Sequence, residues 1–210
     1  IERFGEASIR YNKKWEEIEI IEAVTVKPDG EIVEVKENAI NDITPPELAD
    51  ANIYSDVQDK VISFPALEPG SIIIYSYIRK ENESLIEGHF GNSKYLSYIE
   101  PIEEVRLSLK VPATTNLNYR TVRGELEPMV KEEDGFTVYT WEKYDIAAVK
   151  DEPNMPPFFF FLLMVVVSTF NKWSDFSDWY KELITDQYQL DQTIKDKINE
   201  LIADKTTIEE

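Results

Sequence analysis

Ser71-Ile72-Ile73-Ile74-Tyr75-Ser76-Tyr77-Ile78-Arg79-Lys80 is the stretch on which the fold class turns. Isoleucine and tyrosine fill six of its ten positions, the residue types that suit a pleated strand. Ile73, Tyr75 and Tyr77 share one face, and Ile72, Ile74 and Ile78 share the other. With both faces apolar, the expectation is a central strand covered on both sides. Leu67-Glu68-Pro69-Gly70 precedes it, and proline followed by glycine predicts a type II turn into the strand.

Working outward, the same alternation recurs. Ile18, Ile20, Val24 and Val26 fall on one parity, and Glu22 interrupts it. Lys27-Pro28-Asp29-Gly30 predicts a turn, after which Glu31-Ile32-Val33-Glu34-Val35 returns as the second arm of a hairpin. Residues 37–60 are polar and contain Pro45-Pro46, so they read as a long loop with a helical turn near Pro46 to Asn52. Val61 to Phe64 reads as a short strand, and Val105 to Val111 alternates strictly. Val130 to Trp141 carries the Asp134-Gly135 hairpin signal. Many short strands, with turn chemistry between them and no strand–helix alternation, predict a mainly β fold, an antiparallel β-sandwich over residues 1–150.

The pattern changes beyond that point. Residues 151–173 form a proline-containing crossing and then an apolar extended segment. Its run Phe158 to Val167 is ten apolar residues, against the roughly 20 that a membrane helix needs. It is expected to be a buried strand or extended core segment. Residues 174–210 read as two amphipathic helices. Phe176, Trp179, Tyr180, Leu183 and Ile184 lie on one helical stripe, with Ser174 as candidate N-cap. Leu190, Ile194, Ile198, Leu201 and Ile202 lie on a second, with Asp191 as candidate cap.

Composition limits the chemistry. The 210 residues carry 22 Lys+Arg against 41 Asp+Glu, a net charge of −19. Nucleic acid and anionic membranes both call for a basic face, and no basic run supplies one. A surface this acidic suits solubility, calcium or a basic partner. There is no cysteine, which excludes disulfides, thiolate zinc sites and a thiol nucleophile within the chain. The chain begins at Ile1 with no charged n-region before an apolar stretch, as expected of a mature form or an excised piece.

Few residues are candidates for catalysis. His89 is the one histidine, set in Glu87-Gly88-His89-Phe90-Gly91, and no serine sits in a nucleophile elbow. A structural role for His89 is the expectation. Asp50, Asn52, Tyr54 and Asp56 are spaced like part of a calcium loop, but Ser55 and Val61 stand where an EF-hand needs glycine and glutamate. No metal ligand set and no cofactor are assigned. Tyr75, Tyr77, Tyr95, Tyr98, Tyr119, Tyr139, Trp141 and Tyr144 could line a glycan or peptide groove; inter-sheet packing is the more common use of such rings.

Three motifs, taken in order, carry a family resemblance. They are Phe64-Pro65-Ala66-Leu67-Glu68-Pro69-Gly70-Ser71-Ile72-Ile73-Ile74-Tyr75-Ser76-Tyr77, the alternating strand Val105 to Pro112, and Ser168-Thr169-Phe170-Asn171-Lys172-Trp173 leading to Trp179-Tyr180. Together they resemble a bacterial domain of unknown function found N-terminal to transglutaminase-like domains in envelope proteins. The resemblance implies a β-sandwich module exported to the periplasm or cell surface. It also implies a following transglutaminase-like domain with a cysteine, histidine and aspartate triad. No position here matches that triad, so no catalytic residue is carried over. The apolar run at Phe158–Val167 departs from the polar connection the resemblance implies.

The function expected is a non-catalytic accessory module. It would position or gate a protein or cell-wall-type substrate, such as a glycan polymer, for a transglutaminase-like domain lying beyond Glu210 in the same polypeptide. Trp179, Tyr180, Leu183, Ile194, Ile198 and Leu201 are the candidate interaction surface. A carbohydrate- or ligand-binding β-sandwich is the alternative, and an independent hydrolase using His89 is the third reading.

Overall fold

The computed structural model describes residues 4–51, 55–83, 86, 88–150, 152–185, 187 and 190–203. The chain is mainly β and antiparallel throughout, with two helices at its C-terminal end. It divides into two compact units, Ile1–Leu85 and Ile86–Glu210.

The first unit holds β1 (Glu6–Asn12), β2 (Glu16–Val26), β3 (Ile32–Glu34), β4 (Ile40–Ile43), β5 (Val57–Ser63) and β6 (Ile72–Glu81). They make two three-stranded sheets, ordered β1-β5-β4 and β3-β2-β6. Ile9 and Ile62 from the first sheet meet Ile18 and Ile73 from the second, with Phe64 closing the cluster. The two sheets therefore face each other across a shared core, as a small sandwich. The predicted hairpin forms at Lys27–Gly30, where Gly30 adopts φ +89° and the Lys27 N–H donates to the Glu31 carbonyl. Glu22, the break in the alternation, marks a bulge in β2 between Ile20 and Glu22. At Glu68-Pro69-Gly70-Ser71 the Ser71 N–H donates to the Glu68 carbonyl and Gly70 takes φ +92°, as the predicted turn requires.

Two expectations change here. The span 37–60 contains β4, a 3-10 turn at Pro46–Ala51 and the start of β5. Its polar residues are those of short strands whose outer faces meet water. The second change concerns β6, which forms a strand where expected but stands at the edge of its sheet, not in the centre. Of its ten residues only Ile73 is not exposed. Two apolar faces fitted a covered strand equally well on paper; here only Ile73 reaches the core, and the strand stands at an edge.

The second unit holds β7 (Gly91–Tyr95), β8 (Ile102–Pro112), β9 (Asn118–Val122), β10 (Met129–Glu133), β11 (Phe136–Ile146), β12 (Met164–Ser168), α1 (Trp173–Thr185) and α2 (Gln192–Ile202). Its sheets are ordered β10-β11-β8 and β7-β12-β9. Trp141 of β11 is fully buried against Val165 and Val167 of β12, with Leu96, Leu117 and Leu163 around them. This too is a two-sheet sandwich. The Asp-Gly hairpin joins β10 to β11 with both turn residues at positive φ, Asp134 at +51° and Gly135 at +80°.

The apolar run divides in two. Met164 to Ser168 is the central strand β12, bonded to β7 on one side and β9 on the other. Its alternating burial puts Val165 and Val167 into the core. Phe158–Phe161 is instead a 3-10 turn following Pro157, and Phe159, Phe160 and Phe161 are exposed. From Leu162 onward the run is buried or half-buried, as a core segment would be, whereas Phe159, Phe160 and Phe161 lie in the turn and are exposed.

Candidate interaction surface

The two C-terminal helices present the candidate residues. α1 begins at Trp173, so Ser174 is its second residue and not its cap. The Asp175 carboxylate reaches back to accept the Lys172 N–H at 3.1 Å, one half of a capping box. Asp191 caps α2 as expected, its carboxylate accepting the Ile194 N–H at 2.8 Å. Neither helix buries a residue. Trp179 is half-buried, while Tyr180, Leu183, Ile194, Ile198 and Leu201 are all exposed. Each helix thus carries its own apolar stripe: Trp179 and Ile184 are half-buried on α1, and the other residues of both stripes are exposed.

An aromatic chain that periodicity could not foresee runs into α1. His89 stacks flat on Phe170, with ring centres 4.0 Å apart and planes 6° from parallel. Phe170 meets Phe176 edge-on at 6.0 Å, Phe176 meets Trp179 at 5.3 Å, and Trp179 meets Tyr180 at 6.4 Å. Trp173, 86% exposed, abuts Phe176 from outside. His89 therefore lies at the inner end of a row of rings whose outer end faces solvent. The one sequence signal for this row was the crowding of aromatics between Phe170 and Tyr180.

The other aromatics are only partly core. Trp141 is buried and Tyr95 and Tyr139 are half-buried, but Tyr75, Tyr77, Tyr98, Tyr119 and Tyr144 are exposed. Sheets of three strands are too small to cover so many large rings. Among the described residues no group of three or more histidine, aspartate or glutamate side chains could hold a metal ion. Asn52 and Tyr54 of the calcium-like spacing lie outside the described residues. No helix among the described residues is long and apolar enough to cross a membrane.

Two small antiparallel sandwiches, with two apolar-striped helices at the C-terminal end, define the class of protein. The chain belongs to the DUF3857 family, a domain of unknown function with a solved structure, whose signature covers residues 1–150. Its fold is similar to the crystal structure of a Parabacteroides distasonis protein named "putative protease", with a TM-score of 0.77 at 22% sequence identity. That match covers 97% of this chain and 40% of the other, so the chain spans well under half the length of that protein. No curated protein matches the sequence.

Proposed function

We propose that this chain is the non-catalytic accessory part of a longer, exported polypeptide, and that α1 and α2 dock on a following transglutaminase-like domain. The observation that carries the reading is the pair of exposed stripes, Tyr180 and Leu183 beside the half-buried Trp179 on α1 and Ile194, Ile198 and Leu201 on α2. Apolar surface of this kind is favourably removed from water by a neighbouring surface. The structural neighbour has this fold over 40% of its length, so it has further chain to place against such helices; the choice of a transglutaminase-like domain rests on the motif resemblance alone. In this reading the module positions or gates a protein or cell-wall-type substrate, in the periplasm or at the cell surface, and the reactive groups belong to the following domain.

Hydrogen exchange tests it directly. Amides of α1 and α2 are to be compared in the 210-residue chain and in a polypeptide extended by the sequence following Glu210. Protection of both helices in the longer form alone is expected. Equal exchange in the two forms, or hydrolysis of a peptide or glycan by the 210-residue chain itself, would overturn the reading.

A further inference from the structure

β6 is an edge strand without the usual defences. Among the described residues it pairs with β2 alone, so the outer row of its backbone N–H and C=O groups has no ladder partner. Natural edges are blunted by proline, by a bulge, by short length or by charge, and a long apolar edge is a template for one more strand. β6 is ten residues long and contains no proline, and its first seven residues carry no charge. The bulge of this sheet falls on β2 instead.

What lies beside that edge gives it a preference. On one face β6 shows Ile72, Ile74 and Ile78, with the small Ser76 between them. The register then places Glu22 opposite Ser76, Glu19 opposite Ile78 and Glu17 opposite Lys80. Glu34 of β3 lies opposite Val24, which is itself opposite Ile74. Directly opposite residues share a face, so an apolar rim is backed by four carboxylates. Lys80 is the one cation in that set, and Glu19 already holds it at 3.1 Å.

We propose that the open edge of β6 accepts a further strand from an extended, cationic segment of a partner protein. Its apolar residues would cover Ile72, Ile74 and Ile78. Its lysines or arginines would lie over Ser76 toward Glu22. Backbone pairing supplies the affinity, and the side chains on that face supply the selection. A second copy of this chain is the poorer occupant, because it brings its own charge of −19 and the same carboxylates to the shared edge. The inference does not depend on what the C-terminal helices do.

The test uses the 210-residue chain and labelled synthetic peptides of about ten residues, the length of an ordinary strand. One is built of valine, threonine and lysine, one replaces lysine by glutamate, and one keeps lysine but carries two central prolines. Fluorescence anisotropy is expected to show binding of the lysine peptide. The glutamate and proline forms should bind at least about tenfold more weakly, and added salt should weaken the lysine form. Bound lysine peptide should slow amide exchange along β6. Ile74→Lys charges the rim and Glu22→Lys reverses the row behind it; both positions are exposed, so the two variants should melt like the parent chain. Each should lower affinity at least about tenfold. Equal binding of the lysine and glutamate peptides, no binding of any peptide, indifference to both substitutions, or self-association of the chain through β6 in sedimentation would each overturn the proposal.

Discussion

Arg10 of β1 and Asp59 of β5 face each other across the ladder and join by two parallel bonds, Nε to Oδ1 at 2.9 Å and Nη2 to Oδ2 at 3.0 Å. The same guanidinium also reaches Glu47 at 2.7 Å. Asp59 is buried, and it is the partner with more to lose. The hydrogen bonds from Arg10 hold its carboxyl below the usual carboxylate range, against the opposing effect of burial. A carboxylate depressed in the folded state stabilises fully above its unfolded value, about pH 4, and loses that contribution as pH falls through the folded value. The parent chain should therefore lose stability on acidification from about pH 4 downward more steeply than Asp59→Asn. Urea midpoints at neutral pH and near pH 3 check this, and parallel losses in the two proteins would count against it.

Thr25 presents the opposite situation. It is fully buried in β2, between Val33 of β3 and Ile73 of β6, and its Oγ1 has no hydrogen-bond partner among the described residues. A buried hydroxyl left unsatisfied costs roughly 1–3 kcal/mol, and valine fills nearly the same shape without it. Thr25→Val should raise the unfolding free energy by about 1 kcal/mol. A fall in denaturant midpoint would mean that the hydroxyl has a partner after all.

Trp141 anchors the second unit. It is fully buried, stacks near Tyr139 at 6.2 Å and meets Tyr119 edge-on at 5.6 Å. Removing so large a side chain forfeits its burial and leaves a cavity, so Trp141→Ala should cost about 3–5 kcal/mol in equilibrium unfolding. Residues Ile1–Leu85 have their own core at Ile9, Ile18 and Ile62. Exchange protection along β5 should therefore survive in the variant while protection along β12 is lost. Uniform loss across both units would show that they unfold as one.

Local chemistry was legible in the sequence where one residue type decides a conformation. Gly30, Gly70 and the Asp134-Gly135 pair fixed three turns, because few residues accept positive φ there. Asp191 was readable as a cap for a similar reason, its short carboxylate reaching a free N–H of the first turn. Placement within a sheet was not legible. β6 and β12 are both apolar on two faces, yet β12 is central and β6 is an edge. That difference depends on long-range pairing, which leaves no local trace. The candidate stripes on α1 and α2 followed from helical period, but whether anything covers them did not. The stacking of His89 on Phe170 joins residues 81 positions apart and had no signal.

Exposure of those stripes has a consequence that separates a docking role from a packing role. Leu183 is 58% exposed on α1, and Ile198 is exposed on α2. Glutamine is a good helix former, and at exposed positions a change of this kind shifts stability by only about 0.5 kcal/mol either way. Leu183→Gln and Ile198→Gln should therefore leave the melting of the 210-residue chain nearly unchanged. In a longer polypeptide that buries the helices, each loses apolar burial worth about 1.5–3 kcal/mol. The same substitutions should then expose α1 and α2 to exchange and loosen whatever they hold. Losses of similar size in the short chain would instead place these side chains in its own core, and the stripes would no longer be free for a partner.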